Sequence, residues 1–483
     1  NDDDDSGTIT YLSLRYGGKV IALANELNGL SLGGIGRGTD LHHIDIMNNV
    51  DDGIEIWGGT VGIHHFNIWN IGDDCFDVDQ GWRGKAQFGL LVQGYSVAAA
   101  QGSGVGDNVF ETDGAEQSDY QPVTTSTIYN CTVIGQPTPG AGDHATAWRD
   151  NARVQYRNCI FMELGDRLVS ADNVDGDGGA GYGNNGTLSF AATWTTPYTA
   201  TSTVNAPGNP ALFYTVQTSG NLAEIKDSVM FNNPSPSAYT EANARGVFAG
   251  ANNNVLAVNS PIVSITRGPA VNKGGFIMLP VIGLDPRPAN DALTSVTSAP
   301  NDGFFTSAAY RGAFAPGLGS AGLCDWTASY AFGYTPNASK GVNYCTAGTT
   351  TNGCNATMSG TGTPSASAGS GFTIAINSVE GAQSGIIFYT LSGAKSDPWG
   401  SGTSFLCVKA PFDRTGVQNA GGTVGTCSGV LALDWNLYTS TTVGALGTPF
   451  AGGETVWAQG WFRDPPAPKT TNLSDGYTFI VEP

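Results

Sequence analysis

Residues 63–83, "IHHFNIWNIGDDCFDVDQGWR", repeat residues 41–61, "LHHIDIMNNVDDGIEIWGGTV", at a shift of 22. The His pair, the apolar residue after it, the Asn and the double Asp all coincide. The template continues, with longer excursions between copies, in "GDNVFETDG" (106–114), "GDHATAWRD" (142–150) and "GDRLVSADN" (165–173). Upstream, "LNGLSLGGIG" (27–36) matches "DDGIEIWGG" (51–59). Self-similarity at a fixed short period marks a solenoid. Within each copy, Ile44/Ile46, Ile54/Ile56, Phe66/Ile68 and Phe76/Val78 sit two apart, the period of strands with apolar side chains facing inward. Short strands joined by Gly/Asn/Asp turns in about 22 residues make one coil of a parallel β-helix. The Leu spacing of the competing leucine-rich solenoid is absent.

The expected fold is therefore all-β: a right-handed parallel β-helix followed by a small β-sandwich. Coils are expected from Thr8 to about Asn173, with "EIKDSVMFNN" (224–233) as further coils after a Gly/Ser/Thr-rich excursion. The β-helix with its loop excursions is assigned to residues 1–290. Residues 291–345, Pro/Gly-punctuated and aromatic, read as a terminal wrapping segment. Residues 346–371, "TAGTTTNGCNATMSGTGTPSASAGSG", read as a linker from composition. Alternating strands separated by turn signals across 372–483 predict the sandwich.

The chain of 483 residues carries 21 Lys and Arg against 41 Asp and Glu, a net charge of -20. That excludes nucleic acid as a partner, since phosphate binding needs cations. It fits a surface that binds cations or stays soluble outside a cell. No run of 18 apolar residues predicts a membrane span. The eight cysteines show no zinc spacing. Cys324, Cys345 and Cys354 cluster, as do Cys407 and Cys427, which predicts disulfides and a secreted, extracellular location. Cys131 and Cys159 occupy matching repeat positions and either stack as thiols or bridge. The chain is already in strand pattern at Thr8, which reads as processing or truncation. An uncapped first coil would favour head-to-tail self-association into filaments or a surface layer.

In a β-helix the repeat also reads vertically, because equivalent residues of successive coils stack. One column holds Asp51, Asp73, Asp107, Asp143 and Asp166, and the next Asp52, Asp74, Asn108, His144 and Arg167. A third, facing outward, holds Glu55, Asp77, Glu111, Ala147 and Ser170, and a fourth Trp57, Asp79, Asp113, Arg149 and Asp172. Like charges at coil spacing repel by about 1 kcal/mol per pair even in water, so something must offset them. Turn aspartates accept backbone N–H bonds, which accounts for the first column. Calcium is the second expectation: hard cations take six to eight oxygens, and Glu55, Asp73, Asp74, Asp77 and Asp79 supply several. The paired histidines, His42/His64 and His43/His65, should form two ladders with side chains on opposite faces. Trp399, Trp435, Trp457 and Trp461 either line a sugar-binding surface or fill the sandwich core.

Two resemblances bear on function. "NNVDDGIEI" followed by "GDDCFDV" resembles the polygalacturonases, β-helical glycoside hydrolases with an Asn-x-Asp-Gly strand and then a Gly-Asp-Asp strand. That resemblance implies Asp51 or Asp52, with Asp73 and Asp74, as general acid and water-activating base. The family's Gly-His-Gly is replaced here by "GVGDN", and its Arg-Ile-Lys clamp is missing. More widely, "DDSGTITYLSLRYGG", "NELNGLSLGGIGRGTDLHHIDI", "GGTVGIHHFNIWNIGDDCFDVDQGWRGKAQFG" and "FFTSAAYRGAF" resemble a family of secreted or surface-anchored bacterial β-helix proteins. The ending "WAQGWFRDPPAPKTTNLSDGYTFIVEP" resembles a sandwich module at the C-terminus of other secreted bacterial proteins. These imply a fold and a location but no activity. The expected function is an extracellular structural or adhesive cell-surface protein, calcium-stabilised and self-associating, with polysaccharide as a candidate partner. The alternative is a carbohydrate-active β-helix enzyme using Asp52, Asp73 and Asp74.

Overall fold

The computed structural model describes residues 1–21, 27–96, 106–115, 120–138, 144–171, 192, 195–198, 208–233, 247, 250–273, 275–289, 296–316, 322–323, 326–335, 341–399, 403–452, 454–467 and 469–481. Asp143, Asp172 and Cys324, named above, lie outside these residues. The chain divides into two compact units, Asn1–Pro316 with Leu323–Pro336, and Gly317–Gly322 with Asn337–Pro483.

The first unit is built from stacked parallel coils. Each contributes a short strand to one sheet: β2 (Leu30–Gly33), β4 (Ile54–Trp57), β6 (Phe76–Asp79), β8 (Asn108–Thr112), β10 (His144–Trp148) and β13 (Val169–Ala171). A longer strand of each coil enters a second sheet: β1 (Thr8–Arg15), β3 (Asp40–Met47), β5 (Gly62–Trp69), β7 (Lys85–Val92) and β9 (Thr127–Ile134). Beyond these the long strand is split into β11 (Gln155–Arg157) and β12 (Ile160–Met162), then β14 (Glu224–Lys226) and β15 (Val229–Phe231), with β16 (Val255–Leu256) last. The coils thus end near residue 256 rather than 290. Residues 262–288 form antiparallel pairs instead, Ile262–Arg267 with Val281–Pro288 and Val271–Lys273 with Phe276–Met278.

The register is the one read from the repeat: Ile54 pairs with Phe76, and Ile44 with Phe66. All eight residues expected to face inward are at most 1% exposed. Aromatic rings meet in tilted contacts through this core, Phe66 against Phe76 at 5.5 Å, Phe76 against Phe110 at 5.7 Å and Phe110 against Tyr156 at 5.1 Å.

The long strand bends at one residue per coil. Tyr11, His43, His65, Phe88, Asn130, Asn158, Asp227 and Asn253 all have φ between 51° and 64°. That left-handed conformation costs a non-glycine residue about 1–2 kcal/mol, and it turns the strand around the core. It also corrects the expectation for the histidines, since a regular strand would put His42 and His43 on opposite faces. The bend leaves neither buried. The rings of Tyr11, His43, His65 and Phe88 stack in sequence at 4.4, 4.7 and 5.1 Å, and His64 stacks on Phe304 at 3.9 Å.

Thr297, Thr306, Tyr310 and Ala328, from the stretch expected to wrap the solenoid, hydrogen-bond to side chains on the outer face of the long sheet. Gln87 exchanges two bonds with the Thr306 backbone, both 2.8 Å, and the Asn130 amide donates to Tyr310 O at 2.7 Å. The Asp45 carboxylate accepts from Asn67 Nδ2 at 2.6 Å and from Ala328 N at 2.9 Å.

The second unit is a sandwich of antiparallel sheets. A larger sheet contains Ser384–Thr390, Thr455–Arg463 and Thr471–Ile480; a smaller one contains Thr357–Gly362, Phe372–Val379 and Gly429–Asp434. They share a core of Ile374, Ile376, Ile387, Tyr389, Trp435, Ala458 and Phe479. Residues 346–371 are not a linker. Thr357–Gly362 pairs residue by residue with Phe372–Asn377, and disulfides tie Cys354 to Cys427 and Cys345 to Cys407. Composition misleads here because small residues make room for rings: a Cβ on Gly360 would lie 2.3 Å from the Tyr477 hydroxyl. Cys75, Cys131 and Cys159 are buried free thiols.

Truncating the ring at the centre of these contacts should be costly. Phe76→Ala is expected to destabilise the first unit by about 3–5 kcal/mol, measured as a drop in denaturant midpoint.

Candidate functional site: an acid-lined face of the short sheet

Strand alternation puts Ile54, Ile56, Phe76 and Val78 inside, and therefore Glu55, Trp57, Asp77 and Asp79 outside. Along the stack, Ser31, Glu55, Asp77, Glu111, Ala147 and Ser170 are direct neighbours. The acidic part of this column is confined to the three middle coils, with small or polar side chains on either side. Trp57 stands at one edge of the acidic stretch, 44% exposed.

The turn before each short strand supplies the second layer. Asp52 and Asp74 are 8% and 5% exposed. The carboxylate of Asp52 accepts from Asp74 N at 3.0 Å, and that of Asp74 from Asn108 N at 2.5 Å. Each aspartate therefore clips its own coil to the next. Gly53 permits the close approach, since a Cβ there would sit 2.4 Å from Cys75 O. Further along, His144 Nδ1 meets Asn108 Oδ1 at 2.9 Å and its Nε2 meets Asp166 at 3.2 Å, so the ladder continues through a histidine to Asp166.

Charges on this face are only partly answered. Arg149 donates to both oxygens of Asp113, at 2.7 and 2.6 Å, and also pairs with Glu111. Glu55 accepts from Asn28 Nδ2. Asp77 Oδ1 is buried and receives no hydrogen bond among the described residues. Burial, followed by the charges of Asp77, Asp74, Asp73 and Asp51, holds the Asp52 carboxyl well above the usual range. Burial, then Asp74, Glu55 and Asp79, does the same to Asp77. Asp74, desolvated and beside Asp107, is pushed up to about 7.

Carboxylate oxygens converge in three groups, each within 4.8 Å: Asp52, Glu55 and Asp77; Asp51, Asp52 and Asp73; Asp73, Asp74 and Asp107. Oxygens so spaced can share a hard cation at about 2.4 Å. Of the five residues expected to hold a metal, Glu55 and Asp77 come together with Asp52, while Asp73 and Asp74 come together with Asp107. Asp79 joins none of the three groups and accepts from Gln80 N at 2.6 Å. Of the expected catalytic set, Asp52 and Asp74 are engaged by backbone, and Asp73 lies in the two groups that link them. Sequence reasoning missed Asn28 as a partner of Glu55. The alignment of 27–36 with 51–59 does contain the signal, since it sets Asn28 in the column of Asp52.

Stacked parallel coils bearing one acid-lined sheet face define the first unit as a parallel β-helix of the kind found among carbohydrate-related and surface proteins. Residues 1–228 match the family described as "Pectate-lyase like beta helix domain". No curated protein and no solved structure gives a significant match to the chain.

Raised carboxyls make stability depend on pH in a defined direction. Asp74 takes up a proton near pH 7 in the folded state and near 4 when unfolded, so in chelator the fold should lose stability as pH rises from about 4 to about 7. Asp74→Asn keeps an acceptor for Asn108 N. It is expected to flatten that slope and to stabilise the metal-free protein at pH 8 by on the order of 2 kcal/mol, read from thermal melts across pH.

Proposed function

We propose that this is an extracellular cell-surface protein with a structural or adhesive role, whose acid face binds calcium between neighbouring coils. The observation that carries this reading is the buried, unbonded Oδ1 of Asp77 beside Glu55 and Asp52. A carboxylate oxygen withdrawn from water without a donor is costly, and a cation shared among the three groups removes both that cost and their mutual repulsion. Asp52, Glu55 and Asp77 would hold the ion, and its role would be to lock the register of the middle coils. The disulfides Cys345–Cys407 and Cys354–Cys427 support an oxidising location. No helix among the described residues is long and apolar enough to cross a membrane.

A structural role is favoured over a catalytic one by how the acids are engaged. Asp52 and Asp74 each give a carboxylate oxygen to a backbone N–H, and Arg149 grips Glu111 and Asp113. Free acid and base groups flanking a water-sized gap, as inverting glycoside hydrolysis requires, are harder to assemble from what is left. The family match supports a second reading, a carbohydrate-active enzyme, for which the polygalacturonase resemblance implies Asp52, Asp73 and Asp74.

Calcium at a hundredfold excess over its dissociation constant should raise the melting temperature over that in chelator by about 5 °C. Asp77→Asn should abolish the difference. A melting temperature indifferent to calcium would sink the cation reading. Turnover of a polysaccharide that disappears in Asp73→Asn and in Asp74→Asn would replace the structural role with the enzymatic one.

A further inference from the structure

The second unit has a cleft that the acid face does not involve. On the larger sheet, Ile387, Tyr389, Ala458 and Phe462 face the core, so Ile386, Phe388 and Trp461 face the other way. The ribbon formed by Ala394–Pro398 and Phe405–Val408 adds Leu406 and, just past its first strand, Trp399. Between them lies a cleft of about 250 Å³ whose lining includes Trp399, Trp461, Phe388, Phe412 and Arg414. The four tryptophans of this unit therefore divide: Trp435 is fully buried in the core, while Trp399, Trp457 and Trp461 are partly exposed around Phe388 and Leu473.

Charge is what makes this cleft unusual. Arg414 lies over the Phe412 ring at 4.8 Å, Arg463 over Trp461 at 5.6 Å and Lys469 over Trp399 at 3.8 Å. All three cations are exposed, and none forms an ion pair among the described residues. In a chain with 21 basic and 41 acidic residues, three unpaired cations on the rings of one aromatic cluster are a concentrated positive feature. Trp399 also carries a buried indole N–H that has no acceptor among the described residues. Aromatic faces take apolar C–H surface, an unsatisfied N–H needs an acceptor, and cations need an anion.

We propose that this cleft binds a uronate residue of an acidic polysaccharide. A sugar ring offers a C–H face to Trp461 or Trp399. Its carboxylate meets Arg414 or Lys469. A neutral sugar would satisfy the rings and leave the cations unanswered.

The test titrates the full chain with a galacturonate tetramer and with a neutral glucose tetramer, following tryptophan fluorescence and calorimetric heat. Chelator is present throughout, so that calcium cannot bridge the acid face to the uronate. Saturable, salt-sensitive binding of the galacturonate tetramer is expected, with the neutral tetramer binding at least about tenfold more weakly. Arg414→Gln with Lys469→Gln should weaken uronate binding roughly tenfold without moving the melting temperature. Trp461→Ala should weaken both sugars. Asp77→Asn, which tests the acid face, should leave this binding unchanged. Equal affinity for the two tetramers, no saturable binding of the galacturonate tetramer, or uronate binding that survives the Arg414/Lys469 double substitution would overturn the proposal.

Discussion

Backbone pairing between identical coils is the constraint on which the first unit depends. Once Ile54 is bonded alongside Phe76, every other residue of the short strand is set above its counterpart, about 4.8 Å away. For apolar positions the consequence is favourable, giving a continuous core in which Phe66, Phe76, Phe110 and Tyr156 meet in tilted ring contacts. For acidic positions the same geometry forces like charges together. A slip of one residue would relieve the acids only by turning the apolar set outward, which costs far more. The acid face is thus a cost that the core imposes, and the molecule meets it by several local means. Backbone N–H groups serve Asp52 and Asp74, and Arg149 serves Glu111 and Asp113. At the middle of the face, Asp77 Oδ1 has no hydrogen-bond donor among the described residues.

The two faces of the coil stack are treated differently. Over the long sheet, buried polar side chains are bonded by the wrapping segment: Gln87 by Thr306, Asn130 by Tyr310, Asn158 by Thr297 and Asp45 by Ala328. Asp45 is fully buried and accepts bonds from Asn67 and Ser13 as well, so it needs no cation. Asp77 stands in contrast. Both are desolvated aspartates on outward positions of a strand, but one is supplied with donors and the other is surrounded by acids. That contrast separates a structural polar ladder from a place where a ligand would be expected to act.

The sandwich solves a different problem. Its strands are antiparallel and its smaller sheet is rich in glycine and threonine, so cross-links and ring packing carry more of its definition. Cys354–Cys427 ties the turn before the first strand of that sheet to the turn before its last, and Gly360 and Gly476 leave room for the Tyr477 and Tyr344 rings. Outside that core, basic residues rest on rings whose edges remain open. The two units differ in charge character, acidic on the β-helix and locally basic on the sandwich cleft.

How much of this was legible in the chain depends on the range of the forces involved. A 22-residue repeat with period-2 apolar positions is local information repeated many times, and it determined the β-helix, its register, its inward residues and the columns in which Glu55, Asp77 and Glu111 stand. What the sequence left open turned on contacts between distant residues or on single backbone angles. The left-handed bend at His43 and His65 undid strict alternation. Residues 346–371 looked like a linker because a glycine packed under a tyrosine ring is indistinguishable, in composition, from a glycine in a flexible tether. The division of the acids into three groups, with Asp52 rather than Asp79 beside Asp77, was likewise a tertiary matter. Columns fix which coils' residues are neighbours, but only the turn geometry before each strand decides where their carboxylate oxygens converge.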